Sequence, residues 1–340
     1  MSFAPGKKIV AEDYNTLVDN TNKVFADAFP ESAPTSDSSR KDIQKFGWGQ
    51  TPADQAQQYQ KVTASLINEA VDRLNIASDQ VGSELALDRV TKGQKITASI
   101  MNNIDTLITE VTALKNTAAL DQLALSSFNP ITNNGIQWNK SGTVTASLRF
   151  DNYDSARYFF NSGGVIGIQM TEIGAASGVS YSPLYDKLAT VNLSLNSCVS
   201  TTSNVISENK GFIDLNNDYT LLLDCLSTSN SGYGYGYGYG YGYGYGYGYG
   251  YGYGYGHRGM RSNSTRARIL ANIAPVSSTY QEGPVDLTIK LELSHSKEGM
   301  SAGNHTLRLT SFKSIDKTQN DVTFHIETPV LISGTFAVNL

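Results

Sequence analysis

Val285-Asp286-Leu287-Thr288-Ile289-Lys290-Leu291-Glu292-Leu293 alternates without a fault. Aliphatic residues hold the odd positions, and polar or charged residues hold the even ones. That is the two-residue period of a strand with one face on a core and the other in water. A helix would scatter the same aliphatics around its circumference. Upstream, Thr143–Phe150 repeats the pattern, with Val144, Ala146, Leu148 and Phe150 on one face. Downstream, His305–Phe312, Val322–Ile326 and Val330–Val338 continue it, punctuated by Asn, Gly, Ser and Pro clusters. From about Asn133 onward the chain therefore reads as an antiparallel β-sandwich.

Residues 232–256 interrupt this region. Glycine takes every even position and tyrosine every odd one: Tyr233, Tyr235, Tyr237, Tyr239, Tyr241, Tyr243, Tyr245, Tyr247, Tyr249, Tyr251, Tyr253 and Tyr255. A collagen helix needs glycine at every third residue, so the period of two excludes it. Drawn as a strand, the tract has one face of tyrosine and one of bare backbone, and fully extended it reaches roughly 80 Å. Glycine entropy and the lack of a covering core make a lone strand of this kind unstable in water. Two readings stand side by side: a low-complexity loop left by repeat expansion, or a strand that pairs with itself, with other chains or with a partner. The perfect period leaves pairing register unspecified. Leu221–Cys225 and Ala267–Ala271 on either side read as strands, which makes the tract a β insertion at an edge or tip of the sandwich, where insertions are tolerated.

The N-terminal part has a different period. Lys8-Ile9-Val10-Ala11-Glu12-Asp13-Tyr14-Asn15 aligns with Lys61-Val62-Thr63-Ala64-Ser65-Leu66-Ile67-Asn68 and with Lys95-Ile96-Thr97-Ala98-Ser99-Ile100-Met101-Asn102. A helical pattern follows each, and Thr63 and Thr97 are suited to cap the first free N–H groups. Leu17, Val18, Thr21, Val24 and Phe25 share one helical face; Ile67, Ala70, Val71 and Leu74 share another. Ile100, Ile104, Leu107, Val111 and Leu114 step by 4, 3, 4 and 3 residues, a heptad seam about two heptads long. Such a seam serves either an intramolecular bundle or a contact between identical subunits. Between the first two helices, Phe46-Gly47-Trp48-Gly49-Gln50 reads as a loop anchored by Phe46 and Trp48.

The expected fold class is thus α+β: a helical repeat bundle over residues 1–125, then a β-sandwich over 133–231 and 257–340 that carries the Tyr-Gly insertion at 232–256. Composition narrows the function. The chain of 340 residues has a net charge of −5 and no basic stripe, which argues against nucleic-acid binding. No apolar run approaches a membrane span. Met1–Lys8 lacks a signal-peptide core, so a protein made and used without the Sec route is expected. Cys198 and Cys225 are too few for a disulfide framework and read as free thiols.

The chemistry of the chain offers no enzyme. His257, His295, His305 and His325 have no helical partner spacing, and no Cys-x-x-Cys occurs, so neither a metal nor a cofactor is expected. His305 and His325 fall in strands that could lie opposite each other. Gly163-Gly164 follows a strand-like segment and reads as a turn, lacking the Lys-Ser/Thr of a phosphate loop. Asp151, Asp154, Asp214, Asp218 and Asp224 could include a glycosidase pair, but carboxylates at this density are expected on any soluble surface. Arg258, Arg261, Arg266 and Arg268 follow the tract as a solvated basic turn or, with Arg258 and Arg261 foremost, as a contact for anionic glycan or for the tyrosine rings.

The opening Pro5–Asn15 stretch, Phe46–Gln50, Val62-Thr63-Ala64 with Asn68, and Ala156-Arg157-Tyr158-Phe159-Phe160-Asn161-Ser162-Gly163-Gly164 together resemble virion structural proteins of large tailed phages of the marine and cyanobacterial type. The tract departs from that pattern. The resemblance implies a place on a virion: a tail or baseplate fibre subunit, assembled as a homotrimer with other virion proteins, whose tract joins subunits or adheres to host surface glycan. A capsid or neck decoration protein and a self-assembling extracellular filament are the alternatives.

Overall fold

The computed structural model describes residues 3–6, 9–24, 53–57, 60–115, 118–133, 140–173, 179–202, 205–229, 263–276, 283–296, 304–320 and 322–338. The Tyr-Gly tract, Arg258, Arg261, Phe25 and the Phe46–Gln50 loop lie outside them. The protein combines helices with two antiparallel six-stranded sheets, an α+β arrangement.

Among the described residues three helices open the chain: α1 (Ala11–Val24), α2 (Ala64–Val81) and α3 (Ala98–Leu114). Thr63 and Thr97 are their N-caps as expected, accepting from the N–H groups of Leu66 and Ile100. The buried faces include Leu17, Val18, Thr21 and Val24 in α1, and Ile67, Ala70, Val71 and Leu74 in α2. One hydrogen-bond arrangement joins the three helices and is used three times. The Asn15 amide exchanges both its bonds with the backbone N–H and C=O of Ala56 (2.7 and 3.0 Å). Asn68 does the same with Val90 (2.8 and 2.9 Å), and Asn102 with Phe3 (2.8 and 3.2 Å). Phe3, Ala56 and Val90 each stand eight residues before the first residue of a helix, Ala11, Ala64 and Ala98. Each helix therefore grips the extended segment that leads into the next, and the third grips the lead-in of the first. About two turns further along, Asn22 grips Ala53 and Asn75 grips Leu87 in the same two-bond manner.

The sheets follow. β1 (Leu123–Ser127) and β2 (Ile131–Thr132) lie along one edge of the first sheet, which continues through β11 (Asn304–Ser314), β4 (Val165–Ile173), β5 (Thr190–Leu193) and β6 (Cys198–Ser200). The second sheet runs in the order β14 (Val330–Val338), β3 (Ser141–Phe150), β10 (Val285–His295), β9 (Asn263–Pro275), β8 (Thr220–Ser229) and β7 (Ile206–Ser207). β12 (Lys317–Gln319) and β13 (Val322–Phe324) form a separate hairpin. In β10 burial alternates at every residue, and Leu287, Ile289, Leu291 and Leu293 are buried beside Leu148, Ala146, Val144 and Gly142 of β3. Each such aliphatic contributes about 1.5–3 kcal/mol on burial. The first strand starts at Leu123, ten residues before the change of period at Asn133, because its exposure is irregular and shows no clean alternation.

Two short helices were not legible as such. The Gly163-Gly164 turn follows not a strand but α4 (Tyr153–Asn161), capped by Asn152 Oδ1 on the Ser155 N–H at 2.8 Å. Its aromatic residues have strand propensity, yet Phe159 and Phe160 pack edge-on against each other and Phe160 stacks on Phe212 at 4.2 Å between centroids, so tertiary packing decides. Gly164 is required there: a Cβ would lie 2.3 Å from the Phe159 carbonyl oxygen, which already accepts the Gly164 N–H. α5 (Ser182–Leu188) touches β4 of one sheet and β8 and β9 of the other. The helices dock on the β part through Gln80 of α2, whose Nε2 donates to the Ser162 carbonyl and to Ser314 Oγ.

Candidate assembly surface

The tract enters and leaves through the β8–β9 hairpin, between Ser229 and Asn263, which are register partners. The stem of that hairpin is held by charge. Arg266 forks onto both carboxylate oxygens of Asp224, and Arg268 reaches Asp224 at 3.6 Å and Glu292 at 3.9 Å. The Arg266 hydrogen bonds hold the Asp224 carboxyl below the usual carboxylate range. Lys290 bridges to Glu292 at 2.8 Å and lies over the Tyr219 ring. Two of the four arginines read together from sequence are thus committed to strand-to-strand pairs on the outer face of the sheet.

The heptad seam is distributed differently. Ile104, Leu107 and Val111 are fully covered within one chain, together with Met101 and Ile108 that the seam omitted. Ile100 packs at the margin of the core, and Leu114 is 38 % exposed. The three central positions face α1 and α2 of their own chain, so only the margins of the seam face outward.

At the opposite edge of the second sheet, β14 pairs among the described residues with β3 alone. It is uncharged over its whole length and follows Pro329. The register sets Leu331, Gly334 and Phe336 opposite the buried Leu148, Ala146 and Val144, and sets Ser333, Thr335 and Ala337 on the outer, exposed side. Ile131 of β2 closes over the inner side: a Cβ on Gly334 would stand 2.4 Å from Ile131 Cδ1. Val330 is 62 % and Ile332 40 % exposed, and a bulge sits between Leu331 and Ser333.

The described histidines His295, His305 and His325 lie in different surroundings. His305 is buried and His325 is exposed against Asp316 at 2.7 Å, so the two do not meet. His305 instead lies against Tyr181, which also meets His295, and its ring stacks on Phe336 of the other sheet at 6.3 Å. His305 Nδ1 and Tyr185 Oη are 2.7 Å apart, and Asn133 Oδ1 accepts the His305 backbone N–H. Burial pushes the His305 imidazole down to about 4 and the Tyr181 and Tyr185 phenols upward. The charge of Glu172 opposes the shift at His305; that carboxylate also accepts the backbone N–H groups of Tyr181 and Ser182 at the start of α5. This cluster joins the two sheets. Among the described residues no group of three His, Cys, Asp or Glu side chains is placed to hold a metal ion, and no helix is long and apolar enough to cross a membrane.

No protein-family model, no curated protein and no solved structure matches the chain.

Proposed function

We propose that this chain is a structural protein of a tailed-phage virion, a tail or baseplate fibre subunit that assembles as a homotrimer. In this reading the N-terminal helical repeats attach the subunit to other virion proteins, and the β part displays the Tyr-Gly tract, which joins neighbouring subunits. The observation that carries the reading is the position of the tract: a perfect two-residue repeat inserted between the register partners Ser229 and Asn263 of a charge-braced hairpin. A repeat of this kind has no catalytic chemistry, and its bare glycine face packs best on other strands. Tyrosine rings also stack on sugars, so adhesion to host glycan through the tract with Arg258 and Arg261 is the second use it offers.

The test is location. Antibodies against the β part, applied to purified particles and followed by gold labelling, are expected to mark the tail in a few copies. Label over the capsid in tens to hundreds of copies would replace the fibre with a decoration protein. Absence from particles would overturn the virion reading.

A further inference from the structure

The asparagine clamps fix the direction of the helices. Along α1 from Asn15 to Asn22, the gripped segment runs backward from Ala56 to Ala53. Along α2 from Asn68 to Asn75, it runs backward from Val90 to Leu87. Each lead-in therefore returns antiparallel beside one helix, and the next helix starts at the same end as the last. Asn102 on Phe3 closes the set, so the three helices run parallel, and each touches the other two. Corresponding positions meet the same core: Tyr14, Ile67 and Met101 are all buried, and so are Val24, Ala77 and Val111. The likeness extends into the lead-ins. Gln60 Oε1 accepts the Gln57 N–H at 2.8 Å, and Gln94 Oε1 accepts the Thr91 N–H at 2.9 Å. Gly6 and Gly93 correspond and share a positive φ, 83° and 86°. The helical part is thus three like units closed into a parallel trimer within one chain.

One end of this bundle is occupied. Asp79 and Gln80, in the last turn of α2, hold Lys317, Ser162 and Ser314 of the β part. The helix starts lie at the other end, about 24 Å away along α2. That end is basic in a chain whose net charge is −5. The aligned windows 5–13, 58–66 and 92–100 hold Lys7, Lys8, Lys61, Lys92 and Lys95 against Glu12 and Asp13. Exposed positions differ from unit to unit, as Glu12, Ser65 and Ser99 do. Shared residues mostly serve the fold: Ile9, Val62 and Ile96 pack on the core, as do Ala11, Ala64 and Ala98. One shared residue does not. Lys61 and Lys95, three residues before their helices, are exposed and take no part in the core or the clamps. Lys8 is their counterpart in sequence and lies outside the described residues.

We propose that this end of the bundle is the attachment face, and that it docks on an acidic protein surface with threefold symmetry, one carboxylate patch to each lysine. The proposal rests on the attachment role given to the helices above and names the class of partner. A side chain kept in three like units, and not used in folding, has three like contacts to make. A homotrimeric partner presents them around its own axis. Opposite charge steers and registers such a contact, and three linked contacts bind far more tightly than one. Each copy takes a partner trimer of its own, because its threefold arrangement is complete within one chain.

Carbodiimide cross-linking of purified particles, read by mass spectrometry, tests this, because the reagent joins a lysine amine to a carboxylate it touches. Lys8, Lys61 and Lys95 are each expected to be joined to the same short acidic segment of one other virion protein. Acetylation by an amine reagent is expected to be several-fold slower at Lys61 and Lys95 in particles than in the purified protein. Three lysines joined to different proteins, to unrelated segments of one protein, or to no protein carboxylate would overturn the proposal, and so would equal acetylation in both samples. Protection without any carboxylate cross-link would mean that a non-protein polyanion covers this end. Particles that carry the protein with these lysines open would remove the docking face and leave the virion reading intact. Particles without the protein would remove both.

Discussion

Asn102 holds Phe3 by both of its backbone groups across 99 residues of chain: Oδ1 accepts the Phe3 N–H at 2.8 Å and Nδ2 donates to its carbonyl at 3.2 Å. This contact closes the cycle begun by Asn15 on Ala56 and Asn68 on Val90, and it makes the N-terminal lead-in part of the helical core.

The middle member is the most buried, with Asn68 at 9 % and Val90 at 4 % exposure. Asn68→Ala removes two bonds and leaves a buried N–H and C=O unpaired. The expected loss is about 2–3 kcal/mol in urea denaturation. Asn68→Asp keeps the acceptor but not the donor, and should fall between wild type and Asn68→Ala. Equal stability of all three would mean the clamp does not hold the helices.

Gly334 and Ile131 share one space, so their substitutions should couple. Gly334→Ala forces a methyl into the Ile131 side chain and is expected to cost about 1–3 kcal/mol. Ile131→Ala in the same chain should recover part of that loss, read as a coupling energy from the double-mutant cycle. Strict additivity would show that the two sheet edges do not close on each other there.

His305 should make the fold acid-sensitive. Its pKa falls from about 6.5 in the unfolded chain to about 4 when buried neutral between the sheets. Between those values the unfolded chain binds a proton that the folded chain does not. The contribution is complete above pH 6.5 and is lost as pH falls toward 4, by about 3 kcal/mol. Denaturation midpoints measured from pH 7 to pH 4 should show this slope, and His305→Gln should flatten it.

Cys198 and Cys225 are both free and buried. Burial pushes the Cys198 thiol up to about 12 and raises that of Cys225 as well. Neither should react with a thiol reagent at pH 8 in the native protein, while two equivalents should react in 6 M guanidinium. A fast native equivalent would show that one of these strands opens readily.

The alternation in Val285–Leu293 was enough to mark β10 as a strand with one buried face, because every second residue meets the same core. Thr63 and Thr97 likewise marked their helix starts, since capping is local chemistry. The clamp was only half legible. Asn15, Asn68 and Asn102 recur in the aligned segments, but their partners Phe3, Ala56 and Val90 contribute backbone alone, so their side chains carry no shared signal. The helix Tyr153–Asn161 was hidden by aromatic residues, one of whose partners, Phe212, is supplied by a distant part of the chain. His305 could not be assigned its true company for the same reason: Tyr181 and Tyr185 reach it from one other segment and Phe336 from a second. The place of β14 at the end of the strand order among the described residues was also beyond reach, because strand order is a property of the sheet and not of the strand.

The most direct test of the account is the mass and symmetry of the purified full-length protein, measured by light scattering and cryo-electron microscopy beside the variant lacking residues 232–256. A closed trimer is expected for the full chain and a folded monomer for the variant. A full-length monomer, or a trimer that survives the deletion with unchanged thermal stability, would contradict it.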